Sequence, residues 1–261
     1  MFNAIAALCY IGAFGGLTLL AARRTNLRSP YITVLICLGI LFHGVGAYFT
    51  IRTETGFDLG FFKVASLIFW VISIVVLLSS LRKPMWSLFL LLLPLTLIAL
   101  GCATLANTDP SAVITLSPGI FAHILLSILS YSLLTIATLQ AILLAYQNRM
   151  LKQKHPRGVM GLLPPLQTME GLMFELLWAG EILLTLAILS GVIFIENILA
   201  QHLAHKTVFS IVSWIIYAIL LWGRFRFGWR GAAAIRWALG GFAALMLAYF
   251  GSKLVLEIIL G

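Results

Sequence analysis

Hydrophobic runs of about twenty residues recur from one end of this chain to the other, and each is long enough to cross a bilayer. Backbone N–H and C=O groups in lipid must be satisfied within the segment itself, so runs of this kind fold as α-helices. Eight spans are predicted, over about 2–22, 31–50, 61–80, 86–105, 119–147, 172–195, 207–226 and 232–256. So little sequence separates them that residues 1–261 read as a single transmembrane domain, an all-α polytopic membrane helical bundle. Composition excludes the soluble alternatives. Hydrophobic residues make up 62% of the chain and charged residues 10%, against roughly 45–50% and 25% in a typical soluble domain. A soluble enzyme, a disordered regulator and a nucleic-acid-binding domain are all ruled out on that ground.

The net charge of +9 is explained by its distribution. One side of the predicted spans collects Arg23, Arg24, Arg28, Arg82, Lys83, Arg149, Lys152, Lys154, Arg157, Arg224, Arg226, Arg230 and Arg236. The other holds only Arg52, Lys63, Lys206 and Lys253, together with Glu54, Asp58, Asp109, Glu196 and Glu257. Positive charge marks the cytoplasmic side, which puts both termini outside, in the periplasm, and sets a basic face against anionic lipid head groups. No positive charge precedes the first apolar run, which is also too long for a secretory h-region, so no cleaved signal peptide is expected. The cysteines Cys9, Cys37 and Cys102 lie within apolar runs, form no CxxC pair and read as packing residues.

Two prolines in the longest predicted connection, 148–171, break helical backbone at Leu163–Leu166, and Pro94 is expected to kink span 4. Gly12 and Gly16 form one GxxxG, a signature of close helix packing. The catalytic inventory is thin. HExxH, the P-loop and GxSxG motifs are missing, and no enzyme activity is expected. What remains is histidine and a few intramembrane carboxylates.

His43 lies roughly 10–13 Å below the outer end of span 2, and His123 on the order of 6–9 Å below the outer start of span 5. Imidazoles at matched depth on two helices can ligate a haem iron. A macrocycle would also need an apolar slot, for which Phe42, Tyr48, Phe49, Trp70, Phe121 and Tyr131 are available, and a cation for its propionates, Arg52 or Lys63. The plainer reading is a membrane histidine hydrogen-bonded to a neighbouring helix, and spacing alone leaves both open. His202 and His205, in an outer QHLAH loop, are either a solvated pair or, at i, i+3 spacing, a metal or haem-edge contact. His155 reads as a cytoplasmic loop residue. Glu170 and Glu175 are expected at the interface near Arg149 or Arg157. Glu181 lies deepest, either as a proton site or as the partner of an arginine such as Arg224.

Three segments carry a family resemblance. AHILLSILSYSLLTIATLQAILL, around His123 and Tyr131, resembles the histidine-bearing helix of the cytochrome c assembly family, haem-handling membrane proteins of the CcsA/CcmC/ResC type. LPPLQTMEGLMFELLWAGEILLTLAILSG resembles the loop and helix that follow there. The stretch from Lys206 to Gly251, with its GWRG turn and LAYFG ending, resembles the family's closing helix pair. The likeness is strongest over 119–251 and closest to the small YpjD/HemX-like inner-membrane branch. It implies an inner-membrane protein of a bacterium, linked to cytochrome c biogenesis, that binds haem b between axial His43 and His123 with Arg52 on a propionate. Its partners would be haem, lipid and other cytochrome c biogenesis or membrane proteins. Where haem-presenting members carry a tryptophan-rich WGxxWxWD segment, this chain has ENILAQHLAHKT. Two other classes remain open at this point: a small-molecule or proton-coupled transporter using Glu181, and a scaffold or regulatory subunit without haem.

Overall fold

The computed structural model describes residues 1–23, 26, 28–54, 56–107, 113–114, 117–153, 163–194 and 201–251. Eight long helices account for almost all of them: α1 (Phe2–Ala22), α2 (Pro30–Ile51), α3 (Phe61–Ser80), α4 (Phe89–Leu105), α5 (Pro118–Lys152), α6 (Leu166–Phe194), α7 (Gln201–Phe227) and α8 (Ala232–Met246). A 3₁₀ turn at Trp86–Leu88 leads into α4, and a π-helical turn at Leu247–Gly251 extends α8. All eight spans are long and apolar enough to cross a membrane, which makes the chain a polytopic helical bundle. Only 28–44% of each span's most apolar window is buried by protein. The remainder is exposed Leu, Ile, Val and aromatic surface that water does not tolerate at this extent and lipid does.

Helix starts follow local chemistry. Pro30 opens α2 behind an extended Ser29, and Pro118 opens α5, positions where a missing N–H costs nothing and φ is already helical. Helix α4 runs on through Pro94. The predicted connection 148–171 is shorter than expected, because α5 continues to Lys152 and α6 begins at Leu166. The end of α5, Gln147 to Lys152, is polar yet made largely of good helix formers. Hydropathy there marks the membrane's edge and not the helix's end. At 35 residues, α5 is about 52 Å long, well beyond a hydrocarbon core of roughly 30 Å. Likewise α7 starts at Gln201, so His202 and His205 belong to its first turns and not to a loop.

The chain divides into two compact units, residues 1–116 with 150–164, and residues 117–149 with 165–261. In the first, α1 packs on α2 and α4, and α3 on α2 and α4. Gly12 and Gly16 bring α1 onto Leu35 and Ile32 of α2, at 3.5 and 3.2 Å from where a Cβ would lie. Asn3, in the first turn of α1, donates to Thr50 Oγ1 of α2 (3.4 Å) and Thr104 Oγ1 of α4 (3.1 Å). Beyond α2 the chain folds back through Thr53–Gly56 into a two-residue strand β1 (Phe57–Asp58). It pairs antiparallel with β2 (Val113–Ile114), with Phe57 opposite Ile114.

In the second unit, α7 packs on α6 and α8. Side-chain bonds tie in α5: Ser130 Oγ to the Gly180 carbonyl (3.1 Å), Gln140 Nε2 to the Met169 carbonyl (3.3 Å), and Tyr131 Oη to the Leu245 carbonyl (2.9 Å). The GWRG segment turns α7 into α8. Gly228 (φ 66°) and Gly231 (φ 59°) supply the two left-handed residues, a conformation that side chains with a Cβ rarely adopt. Glu170 holds this turn from α6, with one oxygen 2.9 Å from Arg224 Nη1 and the other accepting from the Gly231 amide at 3.4 Å. The arginine expected beside Glu170 was Arg149 or Arg157; the partner is Arg224, brought in by tertiary packing. Arg224 is thereby committed to Glu170 and is not the partner of Glu181.

Candidate functional site

His43 lies on α2 in the core of the first unit, 0% exposed. Its Nδ1 is 3.3 Å from the Tyr10 hydroxyl of α1, and its Nε2 is 2.8 Å from the Ser66 hydroxyl of α3. The Tyr10 ring meets the imidazole edge-on, with centroids 5.9 Å apart. Tyr10 reaches this position because Gly39, one turn before His43, leaves a groove for its ring: a Cβ there would lie 2.6 Å from Tyr10 Cε1. Next to Ser66 opens a small cleft of about 10 Å³, lined by Asn3, Ala47, Thr50, Ile51, Lys63, Leu100 and Ala103. That is smaller than the roughly 300–1,000 Å³ of small-molecule pockets. Both His43 nitrogens are thus engaged by hydroxyls, and hydroxyls can serve either neutral tautomer.

His123 lies on α5 of the second unit and is half-buried against α6. Its Nδ1 is 3.0 Å from the Ala187 carbonyl and 3.1 Å from Ser190 Oγ. A carbonyl only accepts, so Nδ1 carries the proton and donates it to Ala187. The Nε2 lone pair is then free for a ligand, and no partner occupies it among the described residues. Gly191 makes room for the ring: a Cβ there would sit 3.1 Å from Cε1 and 3.3 Å from Nδ1, but 4.0 Å from Nε2. An imidazole fixed through Nδ1–H to a backbone carbonyl, with Nε2 outward, is how proteins orient metal-binding histidines. Ala187, Ser190 and Gly191 were not read from the sequence as site residues. The small-residue pair Ser190–Gly191 opposite a histidine helix was the signal available.

Of the two cations considered for a propionate, Lys63 is committed. It is buried and its Nζ lies 2.5 Å from Asp58 Oδ2, while Asp58 Oδ1 accepts from the Gly60 amide. Arg52, just past the end of α2, is exposed; its guanidinium bonds the Tyr48 hydroxyl and lies over the Tyr48 ring, 5.6 Å from the centroid. It remains available to an anionic group at that helix end. The aromatics expected to form a slot are divided between the two units, Phe42, Tyr48, Phe49 and Trp70 in the first and Phe121 and Tyr131 in the second. Phe42 and Phe49 stack on Phe2. Trp70 fills the space over Gly44 and donates to the Ile40 carbonyl at 2.8 Å. Tyr131 is tied to α8, and Phe121 is exposed. His155 lies outside the described residues, and no group of three His, Cys, Asp or Glu residues suited to a metal ion is present among the described residues.

Eight apolar helices with polar side chains concentrated on their buried faces define a multi-pass α-helical membrane protein. The chain belongs to the cytochrome c assembly protein family, which it matches over residues 16–260. It is 34% identical over 206 residues to inner membrane protein YpjD of Escherichia coli strain K12, covering 79% of this chain and 78% of that protein. Protein HemX of Brevibacillus brevis is 25% identical over 134 residues, 51% of this chain and 49% of its own. The cytochrome c biogenesis protein CcsA of Chlamydomonas reinhardtii is 26% identical over 138 residues, 52% of this chain and 38% of its own. No solved structure matches the chain. Family membership and the helices together make it a multi-pass inner-membrane protein of a membrane assembly family.

Proposed function

We propose that this protein binds haem b and handles it in cytochrome c biogenesis, with His123 as the residue whose Nε2 would hold the iron. The observation that carries the reading is the 3.0 Å contact of His123 Nδ1 with the Ala187 carbonyl, which favours the tautomer protonated at Nδ1 with its lone pair on Nε2. The similarity to the cytochrome c biogenesis protein CcsA supports the same direction. His123 fits the group as it stands. His43 and Arg52, the other residues expected to serve the group, belong to the first unit. When bound, haem would supply a redox-active iron whose state its nitrogen ligands tune. Within the second unit this chain's own residues would hold it: the Ala187 carbonyl takes the proton on His123 Nδ1, and Gly191 gives the ring its place. Lipid and other cytochrome c biogenesis proteins are the partners this role requires.

An absorption spectrum of the protein purified in mild detergent, oxidised and then reduced, tests the reading. A Soret band that His123→Ala abolishes and Ser190→Ala preserves is the expected result, because the Ala187 carbonyl still holds Nδ1 in the second variant. No haem band after expression with added haem, or a band indifferent to His123→Ala, overturns the assignment.

A further inference from the structure

Glu181 sits near the middle of α6, with about 20 Å of helix on either side of it. It is 7% exposed, and neither carboxylate oxygen has a hydrogen-bond partner among the described residues. No lysine, arginine or histidine is paired with it there. The arginine expected for it, Arg224, is held by Glu170. From α7, Tyr217 lies beside it, 0% exposed, with a hydroxyl that also lacks a hydrogen-bond partner among the described residues. Tyr217 interacts electrostatically with Glu181 and neighbours Thr138 of α5. The other titratable group linked to this cluster is Tyr131 of α5, which touches Tyr217 electrostatically and donates its proton to Leu245. Tyr249, beyond α8, lies against Tyr131. Among the described residues, the cluster is therefore one carboxyl among phenols, with no countercharge paired to it.

An ionised carboxylate cannot be left in this state, because an isolated buried charge is far more costly than its neutral form. Something positive must sit on the oxygens. A divalent cation such as Ca²⁺ or Mg²⁺ takes about six or more oxygens. The described neighbours offer the two of Glu181, the phenol of Tyr217 and the hydroxyl of Thr138, which already donates to the Leu134 carbonyl at 2.8 Å. A proton needs only one acceptor.

We propose that Glu181, with Tyr217, forms a mid-membrane proton-binding site in the second unit. Uptake adds a proton from water to one Glu181 oxygen, giving a neutral carboxylic acid; release returns it to water, leaving the carboxylate beside the Tyr217 hydroxyl as donor. No other bond changes. The site is independent of haem, and its fate does not depend on that of His123.

Infrared difference spectroscopy on the full chain reads it directly. The expected result is a protonated-carboxyl C=O band that shifts on exchange into D₂O and disappears reversibly as the pH is raised. Glu181→Gln removes the band and Glu175→Gln keeps it. Tyr217→Phe moves its frequency, because the carboxyl loses the phenol that lies beside it on α7, and this variant serves if Glu181→Gln does not fold. A band that Glu181→Gln leaves in place, or one that persists unchanged at every pH, overturns the proposal. The same preparation's absorption spectrum keeps the two ideas apart: loss of the infrared band with an intact Soret band refutes nothing about His123.

Discussion

Gly39→Ala tests whether His43 is positioned by the groove that Gly39 leaves for Tyr10. The added Cβ would lie 2.6, 2.7 and 3.2 Å from Cε1, Cδ1 and Cζ of the Tyr10 ring, where ordinary contact begins near 3.4 Å. The ring is completely buried and cannot swing away as a flexible side chain would, so it must shift by up to about 1 Å, the kind of forced displacement that overpacking produces. Its hydroxyl is already 3.3 Å from His43 Nδ1, and such a shift breaks that bond. Overpacking of this kind costs about 1–3 kcal/mol, and a buried hydrogen bond in a membrane protein about 0.6–1.7 kcal/mol. The expected loss is therefore about 2–4 kcal/mol. Intrinsic helix propensity acts in the opposite direction, since Ala is better than Gly by up to about 1 kcal/mol, so even the sign is informative. Unfolding in mixed detergent micelles measures it. Tyr10→Phe, which removes only the hydrogen bond, should lose about 1 kcal/mol, and Tyr10→Leu should relieve Gly39→Ala in the double variant. If Gly39→Ala unfolds within about 0.5 kcal/mol of the parent, the groove does not position Tyr10 and the account of His43 is wrong.

Further tests follow from the ion pairs. Lys63→Ala strands Asp58 as a buried unpaired carboxylate, and should destabilise by about 3–5 kcal/mol; replacing both residues, Lys63→Met with Asp58→Leu, should recover most of that in the same unfolding assay. Glu170→Ala removes the support of the α7–α8 turn. Because the Arg224 side chain is 35% exposed, the expected loss is smaller, about 1 kcal/mol, and it should be accompanied by faster hydrogen exchange at the Gly231 amide. Unchanged exchange there would mean the turn is held by its glycines alone.

The eight spans were legible because length and hydropathy are properties of the segment itself, and the bilayer demands both. Their ends were less so. At the end of α5, composition turned polar while helix propensity did not change, and the wrong one of those signals was taken as the boundary. The strands β1 and β2 carry two residues each and pair across more than fifty residues of chain, so no local pattern announces them. The site shows the same division. His43 and His123 were singled out as candidates by residue type and depth, but most of what surrounds them lies on other helices: the hydroxyls of Tyr10 and Ser66, the carbonyl of Ala187, the missing side chain of Gly191. Glu170 was expected beside Arg149 or Arg157, the arginines nearest to it in sequence. Glu170 instead meets Arg224, 54 residues away, because α6 and α7 lie side by side. Lys63 looked available until Asp58 folded onto it.

Asn3 has a consequence in time. Its amide bonds Thr104, 101 residues later in the chain, and synthesis proceeds at about 5–20 residues per second. Helix α1 therefore waits on the order of 5–20 seconds in or near the membrane before α4 exists to receive it. During that interval the amide has only water, lipid head groups or Thr50 to bond. Its place in the first turn of α1, at the end of the helix and not at its middle, keeps the nascent span within reach of water until the first unit closes.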